Sequence, residues 1–428
     1  MNSSRLLLLP YKLLVSFMIL TQFLYFWGPL QFDKSFNFLL FLFFIIVDLV
    51  FIIGYKQGIK KKTENRELKY TNKVSNLVFI GMLMIIPQFV SGWHLSSFSL
   101  HEFYNRFIAG LFNPGQVFNE RNEAMGTSLI TYLLMLLSPL TISAKVLSIY
   151  FWKSFSKSMK ITIIVYYVLT IVYWLGIGTR KGLFDVAIIL IFTLLMSDFS
   201  IVNSRKKRRR ILVLGLVSVS LFLFYFVYSN LSRFGLESGE LLEFDQYSIK
   251  NSYKTVLPPA LNIVLAQITS YLCQGYHALS LSLSDWFNYS ISCFSYGLGS
   301  NWFKISVVER LLPNVDVLSM TYQGYLWEHY RIDPEASWHS LYLWLANDVT
   351  FFGVPFIIYL FSYYCGFFWK SAINKTRIVD APLSILFIMF FAYSFANNQV
   401  FSFSFIAFWG LIIIRLISKI SQFNNISR

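Results

Sequence analysis

Charge is what this sequence has least of. Asp, Glu, Lys and Arg make up only 13% of the 428 residues, about half the share of an ordinary soluble domain, and residues 256–284 and 286–303 contain none of the four. Cysteine is equally sparse: Cys273, Cys293 and Cys365 are the full complement. Cys365 falls in an apolar run, Cys273 and Cys293 allow at most one bridge, and none has metal-ligand spacing, which excludes a disulfide scaffold and a zinc module. Residues 1–30 carry Arg5, Lys12 and a long apolar run with no A-x-A cleavage site, so they predict a retained first span and not a removable signal peptide. No internal repeat is present, and the one biased tract is a run of bases.

Apolar residues fill the space that charge leaves. The chain is 56% hydrophobic and 19% aromatic, with a mean hydropathy of +0.56, the composition of an all-α polytopic integral membrane protein. A net charge of +15 would suggest a nucleic-acid partner in a soluble protein. Here the bases sit in short segments beside apolar runs, as membrane insertion requires, and no nucleic acid is expected. A window of about 20 residues predicts about ten transmembrane helices, with 10–12 allowed, near 11–30, 36–54, 74–92, 124–142, 161–178, 182–200, 211–230, 346–369, 382–397 and 400–418. This arrangement puts 25 of the 36 Lys and Arg on one side, including the block Arg205, Lys206, Lys207, Arg208, Arg209 and Arg210. The positive-inside rule then assigns that side, and both termini, to the cytoplasm. The chain 1–428 reads as one multi-pass domain of a bacterial inner (cytoplasmic) membrane.

Two outer loops are long, 93–123 and 231–345, the second lying between the seventh and eighth spans. Connections of that length are functional or separately folded. Within it, the charge-free stretches interrupted by Pro258, Pro259, Asn262 and Gln267 predict re-entrant or amphipathic helices whose polar groups face protein or a water-filled cavity.

Against this background Arg180 and Lys181 are out of place. They lie in GIGTRKGLFD, a tight hairpin between two apolar runs, and the basic block after the next span forces them to the outer face. Cations there either snorkel to lipid phosphates or hold an anionic substrate; Lys181 also has Asp185 as a partner at i+4. All five histidines, His94, His101, His277, His329 and His339, fall in the two outer loops, so chemistry is expected on the outer face. Fixed cations and a neutral base together suit transfer from a phosphorylated lipid: the cations stabilise a pyrophosphate leaving group and the base takes a proton from a hydroxyl. Arg310 beside Glu309, and Arg331 near Asp333, read more simply as loop salt bridges. The outer aromatics Trp286, Trp302, Tyr322, Trp327 and Trp338 read mainly as interface anchors.

Three segments resemble the O-antigen polymerase and ligase superfamily. GTRKG at 178–182 is similar to its outward S/T-R-G hairpin, with Lys181 inserted between Arg and Gly. His339-Ser340-x-x-Leu343, followed by Gly353, is similar to its histidine segment, and YLCQGYHALSLSL at 271–283 to the tyrosine-rich Gln-Gly segment of repeat-unit polymerases. The resemblance covers roughly 170–370 by pattern and the rest by hydropathy. It implies a metal-independent inverting glycosyltransferase, with no cofactor, acting on an undecaprenyl-pyrophosphate-linked oligosaccharide. The acceptor is a hydroxyl of an incoming lipid-linked repeat unit, and membrane lipid, a flippase and a chain-length regulator are the implied partners. It assigns Arg180 to the donor pyrophosphate, with Arg310, Arg233 and Lys181 as further substrate-binding candidates, and His339 to base catalysis. An O-antigen-type ligase shares the same motifs, and the Gln-Gly segment favours the polymerase. A non-enzymatic transporter or flippase is the alternative of another class; it would show inverted repeats and midplane ionisable residues, whereas only Asp48 lies deep in a span.

Overall fold

The computed structural model describes residues 3–32, 37–63, 71–93, 99–123, 129–197, 224–228, 247–256, 258–334 and 337–426. Five of its helices are long and apolar enough to cross a membrane: α1 (Arg5–Trp27), α2 (Phe38–Lys60), α3 (Asn72–Trp93), α8 (Lys157–Gly176) and α13 (Leu341–Ile373). The pair α6 (Leu129–Leu136) and α7 (Ser138–Tyr150) is long and apolar enough only when taken together, bent by 55°, as a broken span or a re-entrant loop. Pro139 in the first turn of α7 explains the bend, since its ring cannot continue α6. Two further outer helices, α4 (Leu100–Phe112) and α5 (Pro114–Glu123), stand between α3 and α6. The fold is thus that of an all-α, multi-pass membrane protein.

Two expected spans are shorter in the structure. α14 (Asp380–Ala392) has 13 residues and the apolar part of α15 (Phe405–Ile426) stops near Ser418, while α9 is described over Lys181–Ser197. At 1.5 Å per residue, 13 residues reach about 20 Å, short of the roughly 30 Å hydrocarbon core. Of the expected seventh span only 224–228 is described, and it is helical; the basic block 205–210 lies outside the described residues.

Helix faces follow the solvent they meet. Ile19, Leu20 and Phe23 on α1, Ile45, Ile46, Leu49 and Ile53 on α2, and Ile161, Ile164, Val165 and Val168 on α8 are exposed, while the opposite faces are equally apolar and packed inward. This is the all-round apolarity of a helix with protein on one side and lipid on the other. α2 and α13 make the closest pair. A Cβ at Gly54 would stand 2.6 Å from the Tyr359 carbonyl oxygen and one at Gly58 2.0 Å from that of Tyr363, the small-xxx-small spacing that lets backbones touch.

The described part of the long loop, from 247 onward, is largely helical and packs into this bundle. A two-stranded antiparallel sheet, β1 (Leu30–Phe32) with β2 (Tyr247–Ile249), pins its start to the end of α1. The 31-residue helix α10 (Pro259–Tyr289) then packs against α1, α2 and α13. Tyr276 and Thr21 hydroxyls meet at 3.0 Å, and Asn37, which caps α2, donates to the Ser280 carbonyl at 3.0 Å. The Ser280 and Ser284 hydroxyls of α10 likewise accept from Asn37 Nδ2, at 3.2 and 2.6 Å, so these two breaks in the apolar pattern are satisfied within protein. All three cysteines are buried and unbridged. After α10 come α11 (Trp302–Leu311) and α12 (Tyr322–Tyr330). Asn347 binds them to α13, donating to Gly299 O at 2.9 Å and Gln323 Oε1 at 2.7 Å and accepting from Tyr322 N at 2.9 Å. α13 itself breaks at Thr350, where φ is 59° and ψ is 169°, a conformation that costs a β-branched residue about 1–3 kcal/mol. The break follows a segment buried from Leu341 to Asn347 and precedes the apolar span.

Candidate functional site

Gly178 makes the hairpin possible. Its φ is +64°, and a Cβ there would lie 2.5 Å from the Pro114 carbonyl, so a side chain would be both strained and blocked. The chain turns at once into α9, with the Arg180 carbonyl accepting from Leu183 N at 3.1 Å and Phe184 N at 3.2 Å. This turns the Arg180 side chain back into the protein instead of out to headgroups.

Arg180 is only 4% exposed. Its guanidinium lies 4.8 Å from the Phe226 ring centroid and 6.0 Å from that of Tyr271, yet Nε and both terminal nitrogens have no hydrogen-bond partner among the described residues. The adjacent Thr179 hydroxyl is also buried and unpartnered. Burial pulls the Arg180 pKa down, with Tyr271 and Tyr225 opposing the shift. Arginine nevertheless does not deprotonate in proteins. A fixed cation with five donors is therefore sealed from water, and among the described residues two ring faces compensate it.

Lys181 is already engaged. Its ammonium meets Asp185 Oδ2 at 2.8 Å, Asp185 Oδ1 accepts from the Tyr393 hydroxyl at 2.8 Å, and the ammonium stands 5.9 Å from the Tyr393 ring centroid. Lys145, grouped by sequence with the cytoplasmic bases, lies within electrostatic reach of Asp185 and Lys181. Two formal cations thus gather around one carboxylate at this end of α9.

His339 is fully buried just before α13. Its backbone N–H donates to Asn397 Oδ1 at 2.8 Å, which also accepts from the Trp344 indole at 3.1 Å. Its Nδ1 stands 3.2 Å from the Ser337 carbonyl; a carbonyl only accepts, so Nδ1 carries the proton and Nε2 holds the lone pair. Nε2 has no partner among the described residues. Burial pushes the imidazole pKa down to about 4, against the upward pulls of the Ser337 carbonyl and Asp333. The ring is neutral at pH 7 and presents an unused acceptor.

One turn of α10 connects these two residues. Tyr271 packs on Arg180 and lies 5.5 Å, ring to ring, from Trp338, the neighbour of His339. Four residues on, Gly275 accepts from Ser340 N at 3.2 Å. A Cβ on Gly275 would stand 2.3 Å from the Phe395 carbonyl and 3.2 Å from the carbonyl carbon of His339. The hairpin, the histidine segment and the tyrosine-rich helix, far apart in sequence, meet along about 6 Å of one helix axis. Both Arg180 and His339 are covered, Arg180 by the Phe226 and Tyr271 rings among the described residues.

The remaining candidates separate. Arg310 is exposed on α11 and donates to the Tyr132 hydroxyl of α6 at 2.7 Å. Its expected partner Glu309 instead accepts from the backbone of Val317 and Leu318 at 3.2 Å. Arg233 lies outside the described residues. Tyr322, expected at the interface, is buried with Phe351, and Trp302 packs on Trp344. Thr179, Tyr271, Gly275 and Asn397 carried no assigned role in the sequence, although the first three lie inside the segments it singled out. No family model matches the chain, and neither a curated protein nor a solved structure does.

Proposed function

We propose that this protein is a repeat-unit polymerase of surface polysaccharide, transferring a growing glycan from undecaprenyl pyrophosphate to a hydroxyl of an incoming lipid-linked repeat unit on the outer face of the membrane. The observation that carries the reading is the buried guanidinium of Arg180 beside the buried Thr179 hydroxyl, neither with a hydrogen-bond partner among the described residues. Removing charge from water costs several kcal/mol unless something pairs it. A bidentate phosphate oxygen pair supplies the missing acceptors. Lys181 and Lys145 add positive field, which stabilises the charge developing on a pyrophosphate leaving group.

In this mechanism the acceptor hydroxyl donates its hydrogen bond to Nε2 of His339. The hydroxyl oxygen attacks the anomeric carbon as its bond to the pyrophosphate oxygen breaks, and the proton passes to the imidazole. A histidine with a pKa near 4 is a weak base before substrate arrives. The negative charge of the bound pyrophosphate raises that pKa towards the working range, so donor binding switches the base on. The reading also takes ten spans, with both termini in the cytoplasm.

The test in cells is Arg180→Ala. It is expected to abolish long polysaccharide chains and to accumulate single lipid-linked repeat units at unchanged protein abundance, with Arg180→Lys recovering part of the length. A normal ladder of lengths in Arg180→Ala would reduce the hairpin to a structural anchor.

A further inference from the structure

At the other end of the bundle, a cavity of about 170 Å³ opens among Lys61, Lys62, Thr63, Phe367, Arg377 and Arg415. The helix α2 runs from its cap Asn37, bonded to α10, to Lys60, so this cavity lies about 35 Å from the α10 layer. It is on the side that the positive-inside rule assigns to the cytoplasm. Four cations line it. Among the described residues, the fully buried Asp380 takes the Arg415 Nε at 2.7 Å and uses its second oxygen for Ser371 and Thr376. Four formal positive charges against this one carboxylate leave the described part of the wall at about +3. Arg377 is itself only 8% exposed and holds Ser418 Oγ at 3.0 Å, so the site is built into the helix ends and is more than a fringe of surface lysines.

We propose that this cavity holds the phosphate of an anionic phospholipid headgroup. Its volume matches the roughly 150 Å³ that accepts a benzene-sized ligand, enough for a phosphate and its ester carbons. The surface beside it favours a lipid over a free ion. Ile413, Ile414, Leu416 and Ile417 are all about half-exposed on the same helix as Arg415, and Phe367 lies under the Arg415 guanidinium at 5.3 Å. Acyl chains on that apolar face would run directly from a headgroup in the cavity. Basic pockets between helices at the cytoplasmic side recognise anionic lipid in this way. The inference is independent of the polymerase reading, because it concerns different residues at the opposite end.

The test is native mass spectrometry of the purified full-length chain in mixed micelles of phosphatidylglycerol and phosphatidylcholine. The parent is expected to retain phosphatidylglycerol, and Lys61→Gln with Lys62→Gln to lose about tenfold or more of that retention. Both lysines are exposed, so this variant is expected to fold; Lys62→Gln with Arg377→Gln extends the test to the buried wall. Equal retention of the two lipids by the parent would overturn the proposal, as would unchanged retention in the lysine variant. Displacement of phosphatidylglycerol by millimolar inorganic phosphate would also overturn it, by showing a site for the free ion.

Discussion

Arg180→Met should stabilise the unliganded protein while destroying its response to donor. Methionine matches the length of the arginine stem and fills irregular apolar space, so the packing against Phe226 and Tyr271 survives. What disappears is a buried cation whose three nitrogens have no hydrogen-bond partner among the described residues. Burial of such an ion costs several kcal/mol after relaxation, and two ring faces return about 0.5–2 kcal/mol each. The difference, about 2 kcal/mol, should appear as a thermal midpoint a few degrees higher in detergent. A lipid pyrophosphate at about 100 times its Kd should stabilise the parent by about 2.7 kcal/mol and leave the methionine variant unmoved. Scans at several heating rates separate an equilibrium effect from a kinetic one. A methionine variant less stable than the parent, yet still stabilised by the lipid pyrophosphate, would refute the claim that Arg180 is held in readiness for an anion.

Other predictions test the neighbours of that residue. His339→Ala should lower turnover by about 10²–10⁴-fold while donor-induced stabilisation persists, which calorimetric binding alongside turnover would show. Because the folded pKa of His339 is depressed to about 4 while the unfolded value is about 6.5, the unfolded chain binds the proton more readily between those values. Stability should therefore fall as pH drops through that window, by at most about 3 kcal/mol, and His339→Gln should flatten this part of the pH–stability curve. Gly275→Val should cost about 1–3 kcal/mol by overpacking α10 against Phe395 and His339, and chain length should fall although no reacting group is changed. Lys181→Ala should reduce activity less than any Arg180 change, since it breaks a pair with Asp185 worth about 1 kcal/mol or less; comparison of initial rates in membranes measures this.

The sequence showed the class of fold because apolar runs and lopsided bases are the dominant physical facts of a membrane protein. It overstated the lengths of the late spans. A hydropathy window cannot see that α14 ends at Ala392, where Tyr393, Ser394 and Phe395 turn to meet Lys181, Leu341 and Tyr271. Arg180 was legible as a charge on the wrong side of the membrane, and His339 as a histidine at the mouth of a span. Their joint contact with α10 was not legible. It depends on a helix whose polar residues look like loop residues until Asn37 meets Ser280 and Ser284 and Thr21 meets Tyr276. Asn397 was equally invisible, because orienting a histidine backbone and an indole leaves no spacing pattern.

The most direct measurement is a single-turnover and chain-length assay on the purified protein with a synthetic undecaprenyl-pyrophosphate-linked repeat unit in liposomes. The account predicts a ladder of product lengths from the parent, a shortened ladder from Arg180→Lys, and unreacted single units from Arg180→Ala. A ladder from Arg180→Ala indistinguishable from the parent's would contradict it, and so would a folded parent that leaves the lipid-linked repeat unchanged.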